Sequence, residues 1–130
     1  MAYRRRLALL SRGEAAFFGP LKAAVGSKYL VMCKVRLADV VSCRFSTDDP
    51  GPFSAISQKH LDFVLCDPRT TRIVLAVELD DRSHEADDRR RRDRFVDYVL
   101  RMAGVRIMRV RARARYRVDE IRRRLDAILG

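Results

Sequence analysis

A chain of 130 residues, 48% hydrophobic and 35% charged, can bury one core without disulfides or metals and is too apolar to be a disordered tail. Its length predicts a single domain over residues 1–130, opened by a basic segment over residues 1–10. A formal net charge of +11 repels itself at neutral pH, and a polyanionic partner explains it most simply, nucleic acid first and an anionic membrane second.

No run approaches the length of a membrane span, and the apolar stretch after Arg4-Arg5-Arg6 is too short for a signal peptide. A soluble, cytoplasmic protein with no membrane partner is expected. The three cysteines, Cys33, Cys43 and Cys66, form no C-x-x-C pair, so neither a disulfide framework nor a zinc site follows. Cys33 and Cys66 lie in apolar runs and read as buried free thiols.

The first helix is predicted to begin at Ser11, where Ser11 and Glu14 fit the S-x-x-E capping box and Leu10 precedes the cap. Ala15, Phe17, Phe18 and Leu21 form its apolar face. Gly19-Pro20 predicts a short helix, a kink or a break. A strand is predicted from about Tyr29 to Val35, extending at most to Val41. Ser46 to Pro52 reads as a loop rich in turn residues. Leu61–Cys66 and Ile73–Leu79 are nearly continuous apolar runs, as expected of strands covered on both faces. Asp67–Thr71 reads as the turn joining them into a hairpin. A helix is predicted over Glu85–Ala103, with Ser83 as N-cap and Phe95, Val96, Val99, Leu100, Met102 and Ala103 as its apolar stripe. Gly104 suits the residue after that helix. Val105–Val110 reads as a strand. Asp119–Leu129 reads as a last helix, with Ile121, Leu125, Ile128 and Leu129 inward. The predicted order is α-β-β-β-α-β-α, an α/β fold whose central mixed sheet contains a hairpin and is flanked by helices.

Charge sits inside the most apolar part of this pattern. Asp62 opens the first central strand; Glu78 and Asp80 close the second. A hairpin centred on Thr70 sets Asp62 opposite Glu78, and the period of two puts Glu78 and Asp80 on one face. Three carboxylates at one sheet end repel one another, so at least one should hold a proton. Oxygen donors of this kind suit Mg²⁺ or Mn²⁺, which would polarise a phosphodiester and activate water. The competing reading pairs these acids with arginines such as Arg106 or Arg109.

His60-Leu61-Asp62-Phe63-Val64-Leu65, followed by Ala76-Val77-Glu78-Leu79-Asp80-Asp81-Arg82-Ser83-His84, resembles the PD-(D/E)XK nuclease superfamily. The nearest branch is that of very-short-patch-repair endonucleases and a related bacterial domain family. The resemblance covers roughly residues 11 to 115 and implies a restriction-endonuclease-like fold. It implies Asp62 and Glu78 as metal ligands, Glu14 as a third acidic position, and Asp80 and His84 in or near the site. The superfamily's lysine, two residues after the glutamate, is replaced by Asp80. Lys59 is one candidate substitute; His84, as general acid or base, is another. Glu14 is equally explained by its capping box, His84 by a surface position, and Asp81 by a helix cap.

Residues 101–124 hold ten arginines against two acids. Arg109, Arg111, Arg113, Arg115 and Arg117 alternate with less polar residues. An extended chain there would present a row of guanidinium groups to phosphates; otherwise they form a solvated edge. The Arg89–Arg92 run is largely matched by acids four residues earlier. The expected function is a Mg²⁺- or Mn²⁺-dependent nuclease acting on DNA phosphodiester bonds. The alternatives are a catalytically inactive nucleic-acid-binding module of the same fold and, less well supported, a structural basic protein.

Overall fold

The structure, a computed structural model, describes residues 2–43, 51–80 and 86–130. The described elements are α1 (Arg12–Val25), β1 (Leu30–Arg36), α2 (Leu37–Val40), α3 (Gly51–Ser57), β2 (His60–Cys66), β3 (Ile73–Asp80), α4 (Ala86–Ala103), β4 (Ile107–Arg111) and α5 (Val118–Leu129). They fall into two compact units. One comprises Met1–Gly26 with Arg113–Gly130; the other comprises Ser27–Ala112. No described helix is long and apolar enough to cross a membrane.

The larger unit holds a four-stranded mixed sheet in the order β1-β2-β3-β4. β1 pairs with β2 and β2 with β3 antiparallel, while β3 and β4 are parallel. The parallel pair is possible because α4 lies between β3 and β4 in the chain and carries it back. The α/β class and the central hairpin therefore agree with the periodicity of the sequence. Asp67 makes the hairpin turn, its Oδ1 accepting from the backbone N–H of Arg69 at 2.8 Å and of Thr70 at 3.0 Å. These donors hold its carboxyl below the usual range.

Val64, Ala76 and Ile107 are register partners and share one sheet face. They pack with Leu37, Val41, Ile56, Val96 and Leu100, which puts α2, α3 and α4 on that face. Phe63, Val77 and Met108 point the other way and are also fully buried. Both faces of the central strands are thus dry, which is why these strands read as unbroken apolar runs.

Several predicted boundaries move. The strand from Tyr29 does not approach Val41. It ends at Arg36, and Leu37 and Val41, one helical turn apart, both enter the core through the short helix α2. The Arg36 guanidinium holds Asp39 with two hydrogen bonds, 2.9 and 3.1 Å long. Gly51–Ser57, read in part as loop, forms α3 because Ile56 has a core position to fill. Ser46–Pro50 of the predicted loop, and Asp81, Ser83, His84 and Glu85, lie outside the described residues. In α4, Val96 and Leu100 are buried, but Met102 is exposed, so the predicted stripe is narrower than drawn. Among the thiols, Cys66 is buried, and that burial raises its pKa; Cys33 and Cys43 are half-buried, and all three are free.

In the smaller unit, α1 runs unbroken through Pro20. The proline removes one backbone donor. Phe17 before it and Leu21, Ala24 and Val25 after it are all buried, so side-chain packing offsets the loss. α1 and α5 pack together, and α5 buries Ile121 and Leu125, while Ile128 and Leu129 are only half-buried. The Arg122 guanidinium donates to the carbonyls of Ala23 and Ala24 at 3.2 and 3.5 Å, where α1 ends and its last carbonyls need donors. Phe17 meets Tyr116 edge-to-face with centroids 5.0 Å apart.

The capping box at Ser11 is complete. Glu14 N–H donates to Ser11 Oγ at 3.1 Å, and Ser11 N–H donates to Glu14 Oε1 at 2.8 Å. Ser11→Ala should lower stability by about 1 kcal/mol, read by thermal unfolding. An unchanged melting temperature would show that the cap contributes nothing.

Candidate metal centre and its charged surroundings

The hairpin register converts three separated acids into one end of the sheet. Phe63 pairs with Val77 and Val64 with Ala76, which places Asp62 opposite Glu78. The two are tied through the backbone. Asp62 N–H donates to Glu78 Oε1 at 3.2 Å, and Leu79 N–H donates to Asp62 Oδ2 at 2.8 Å. Glu78 is 3% exposed, the most deeply buried charged residue described. Burial in a dry strand, then the adjacent Asp62 carboxylate and a carboxyl–carboxyl hydrogen bond to it, push the Glu78 pKa up to about 8. Glu78 therefore holds its proton more tightly than an ordinary glutamate, as crowded carboxylates do when no cation separates them.

Asp80 shares the face of Glu78 but does not join this pair. Arg109, the register partner of Glu78 on β4, takes it instead, with Nη1 2.9 Å from Asp80 Oδ1. Arg109 also reaches α4, with Nη2 2.7 Å from Asp97 Oδ1 and Nη1 3.6 Å from Asp93 Oδ2. Burial works against this guanidinium, but the hydrogen bonds to Asp97 and Asp80 outweigh it and raise its pKa. One arginine thus fastens the sheet to α4. Among the described residues, the reading that pairs these acids with arginines applies to Asp80 and not to Asp62 or Glu78.

Among the described residues no group of three His, Cys, Asp or Glu side chains is placed to hold a metal, and Asp80 is paired with Arg109. Two converging carboxylates remain. That donor set fits a small hard cation that keeps several waters and takes one or two protein carboxylates. Asp62 and Glu78 would hold it.

Lys59 Nζ donates to the Ala55 carbonyl at 2.6 Å and lies 4.8 Å from the Phe95 ring centroid. Both contacts turn it toward α3 and α4. Glu14 belongs to the smaller unit and serves its capping box. His84 lies outside the described residues. Arg92, whose run reads in the sequence as helix solvation, is drawn into the site instead. Its Nη2 donates to the His60 carbonyl at 2.6 Å where β2 begins, and its charge opposes the rise in the Glu78 pKa. Four arginines in a row gave no hint which one faces inward; helix phase decides it.

The alternating arginine row is not one extended edge. β4 ends at Arg111, and Arg113 and Arg117 lean on Glu120 and Asp119 at 3.8 and 3.4 Å. With Arg109 held by acids, Arg111 and Arg115 are the members of the row with no ion pair among the described residues.

No curated protein and no solved structure matches the chain. Residues 6–128 match the family described as a protein of unknown function, DUF2726. That match spans nearly the whole chain, and the chain belongs to the DUF2726 family.

Proposed function

We propose that this chain is a Mg²⁺- or Mn²⁺-dependent nuclease domain of restriction-endonuclease-like fold, acting on DNA phosphodiester bonds. One observation carries the reading. Glu78 is buried against Asp62 at the ends of adjacent strands, and among the described residues neither acid has an arginine ion pair. A protein that needed only structure at this point would place an apolar residue there, since an uncompensated buried acid is costly. A divalent cation bound there would remove that cost and would supply a Lewis acid for the phosphodiester and an activated water. Asp62 and Glu78 would hold it, and Arg92, donating to the His60 carbonyl and to Asp93, adds positive charge near them. Asp80 and Arg109 organise the adjoining strand and helix.

A second reading rests on Asp80. It occupies the position of the superfamily's lysine and is tied to Arg109, an arrangement that suits a nucleic-acid-binding module without catalysis. Supercoiled plasmid incubated with the protein and Mn²⁺, beside the Glu78→Ala variant, separates the two. Nicking by the wild type and none by the variant is the expected result. Wild-type binding to plasmid without nicking would leave the binding module.

A further inference from the structure

The excess charge of this protein is unevenly divided. The smaller unit, Met1–Gly26 with Arg113–Gly130, carries 11 Lys and Arg against 4 Asp and Glu, net +7. The larger unit is almost twice its length and carries 17 against 13, net +4. The acids of the smaller unit are, moreover, largely engaged within it. Glu14 caps α1, Asp119 meets Arg117 and Arg123, and Glu120 meets Arg113. Arg4, Arg5, Arg6, Arg12 and Arg115 are exposed and have no acidic partner among the described residues. Arg12 stands in the first turn of α1, where the helix dipole disfavours a cation.

We infer that the two-helix unit, and not the arginine run of α4, is the surface that holds the nucleic-acid backbone, so that grip and acid pair belong to different units of the chain. The inference rests on the nucleic-acid reading above. Ten of the eleven cations are arginines, whose planar fork suits phosphate oxygens. A lipid surface fits less well, because α1 and α5 bury the large residues at the centre of their apolar faces, Phe17 and Leu21 in one and Ile121 and Leu125 in the other. The exposed apolar residues of this unit, Tyr3, Leu7 and Leu9, belong to the segment before α1.

The full chain is tested with a labelled 20-base-pair duplex in EDTA over a KCl series. One variant replaces Arg4, Arg5, Arg6 and Arg115 by Gln; the other replaces Arg89, Arg90, Arg91 and Arg94 of α4. The first should lose about tenfold or more in affinity at moderate salt, and its salt slope should fall by about 0.9 for each phosphate contact removed. The second should stay within about twofold of wild type. Circular dichroism melts establish that both are folded. If the α4 variant alone loses affinity, the inference fails while the nucleic-acid reading stands. If the wild type binds no duplex at low salt, both fail. Tighter binding to phosphatidylserine vesicles than to duplex would overturn it in favour of a membrane surface.

Discussion

Glu78→Gln is expected to make the metal-free protein more stable at pH 8, and to abolish any stabilisation by Mn²⁺. The wild-type carboxyl has a folded-state pKa of about 8, well above the ordinary value of 4.5. A group raised in this way binds its proton more tightly in the folded than in the unfolded chain. Its contribution to stability is complete below about pH 4.5 and is lost as pH rises through about 8. Between pH 5 and pH 8 the wild type should lose on the order of 3 kcal/mol relative to Glu78→Gln, roughly 10 °C in Tm for a chain of this size. Gln keeps the shape and an oxygen for the Asp62 N–H, so the difference isolates the charge. Mn²⁺ stabilises the ionised carboxylate pair and should raise the wild-type Tm most at pH 8, where proton and metal compete least. Melting curves of both proteins at three pH values, with and without Mn²⁺, supply the test. A wild type blind to Mn²⁺, with a Glu78→Gln form that melts lower at every pH, would show that the acid is part of the scaffold and hold no metal.

Arg109→Met should cost about 2 kcal/mol, because it leaves Asp80, Asp93 and Asp97 facing one another without their shared cation. The three carboxylates are partly solvated, which keeps the loss below that of a fully buried pair. Adding Asp97→Asn should restore a good part of it, since the 2.7 Å partner on α4 would no longer bear an orphaned charge. Arg109→Lys should fall between, as one ammonium cannot span two strands and a helix as the fork does. Urea unfolding of the wild type, Arg109→Met, Asp97→Asn and the double variant gives the cycle, with Arg109→Lys measured beside them. Additive losses in Arg109→Met and Asp97→Asn would mean that the two residues are not coupled and that Arg109 does not fasten the sheet to α4.

Much of this arrangement is legible in the sequence because it depends on neighbours. Ser11 and Glu14 specify a helix start by their spacing, and the structure completes both hydrogen bonds of the box. Asp67 with Thr70 specifies a turn, and a register shift between Leu65 and Cys66 then sets Asp62 opposite Glu78. From that register alone follow the convergence of two acids and the proton one of them must hold. The apolar runs of β2 and β3 announce a sheet covered on both sides.

What the sequence leaves open depends on distant partners. Pro20 interrupts the local helix pattern, yet α1 continues, because burial of Phe17 and Leu21 outweighs one lost hydrogen bond. Leu37 reads as a strand end, and Ile56 follows the predicted loop with no element assigned to it, yet each builds a helical turn, because a core position was available to it. Asp80 matches Glu78 in phase along β3, and only the parallel pairing with β4 brings Arg109 beside it and removes it from the acid pair. The rotation of α4 singles Arg92 out of its run and sends it to the His60 carbonyl. Local spacing determined where the acids are and that two of them meet; long-range pairing decided which arginine each one finds, since an ion pair needs proximity and proximity across strands is set by the fold.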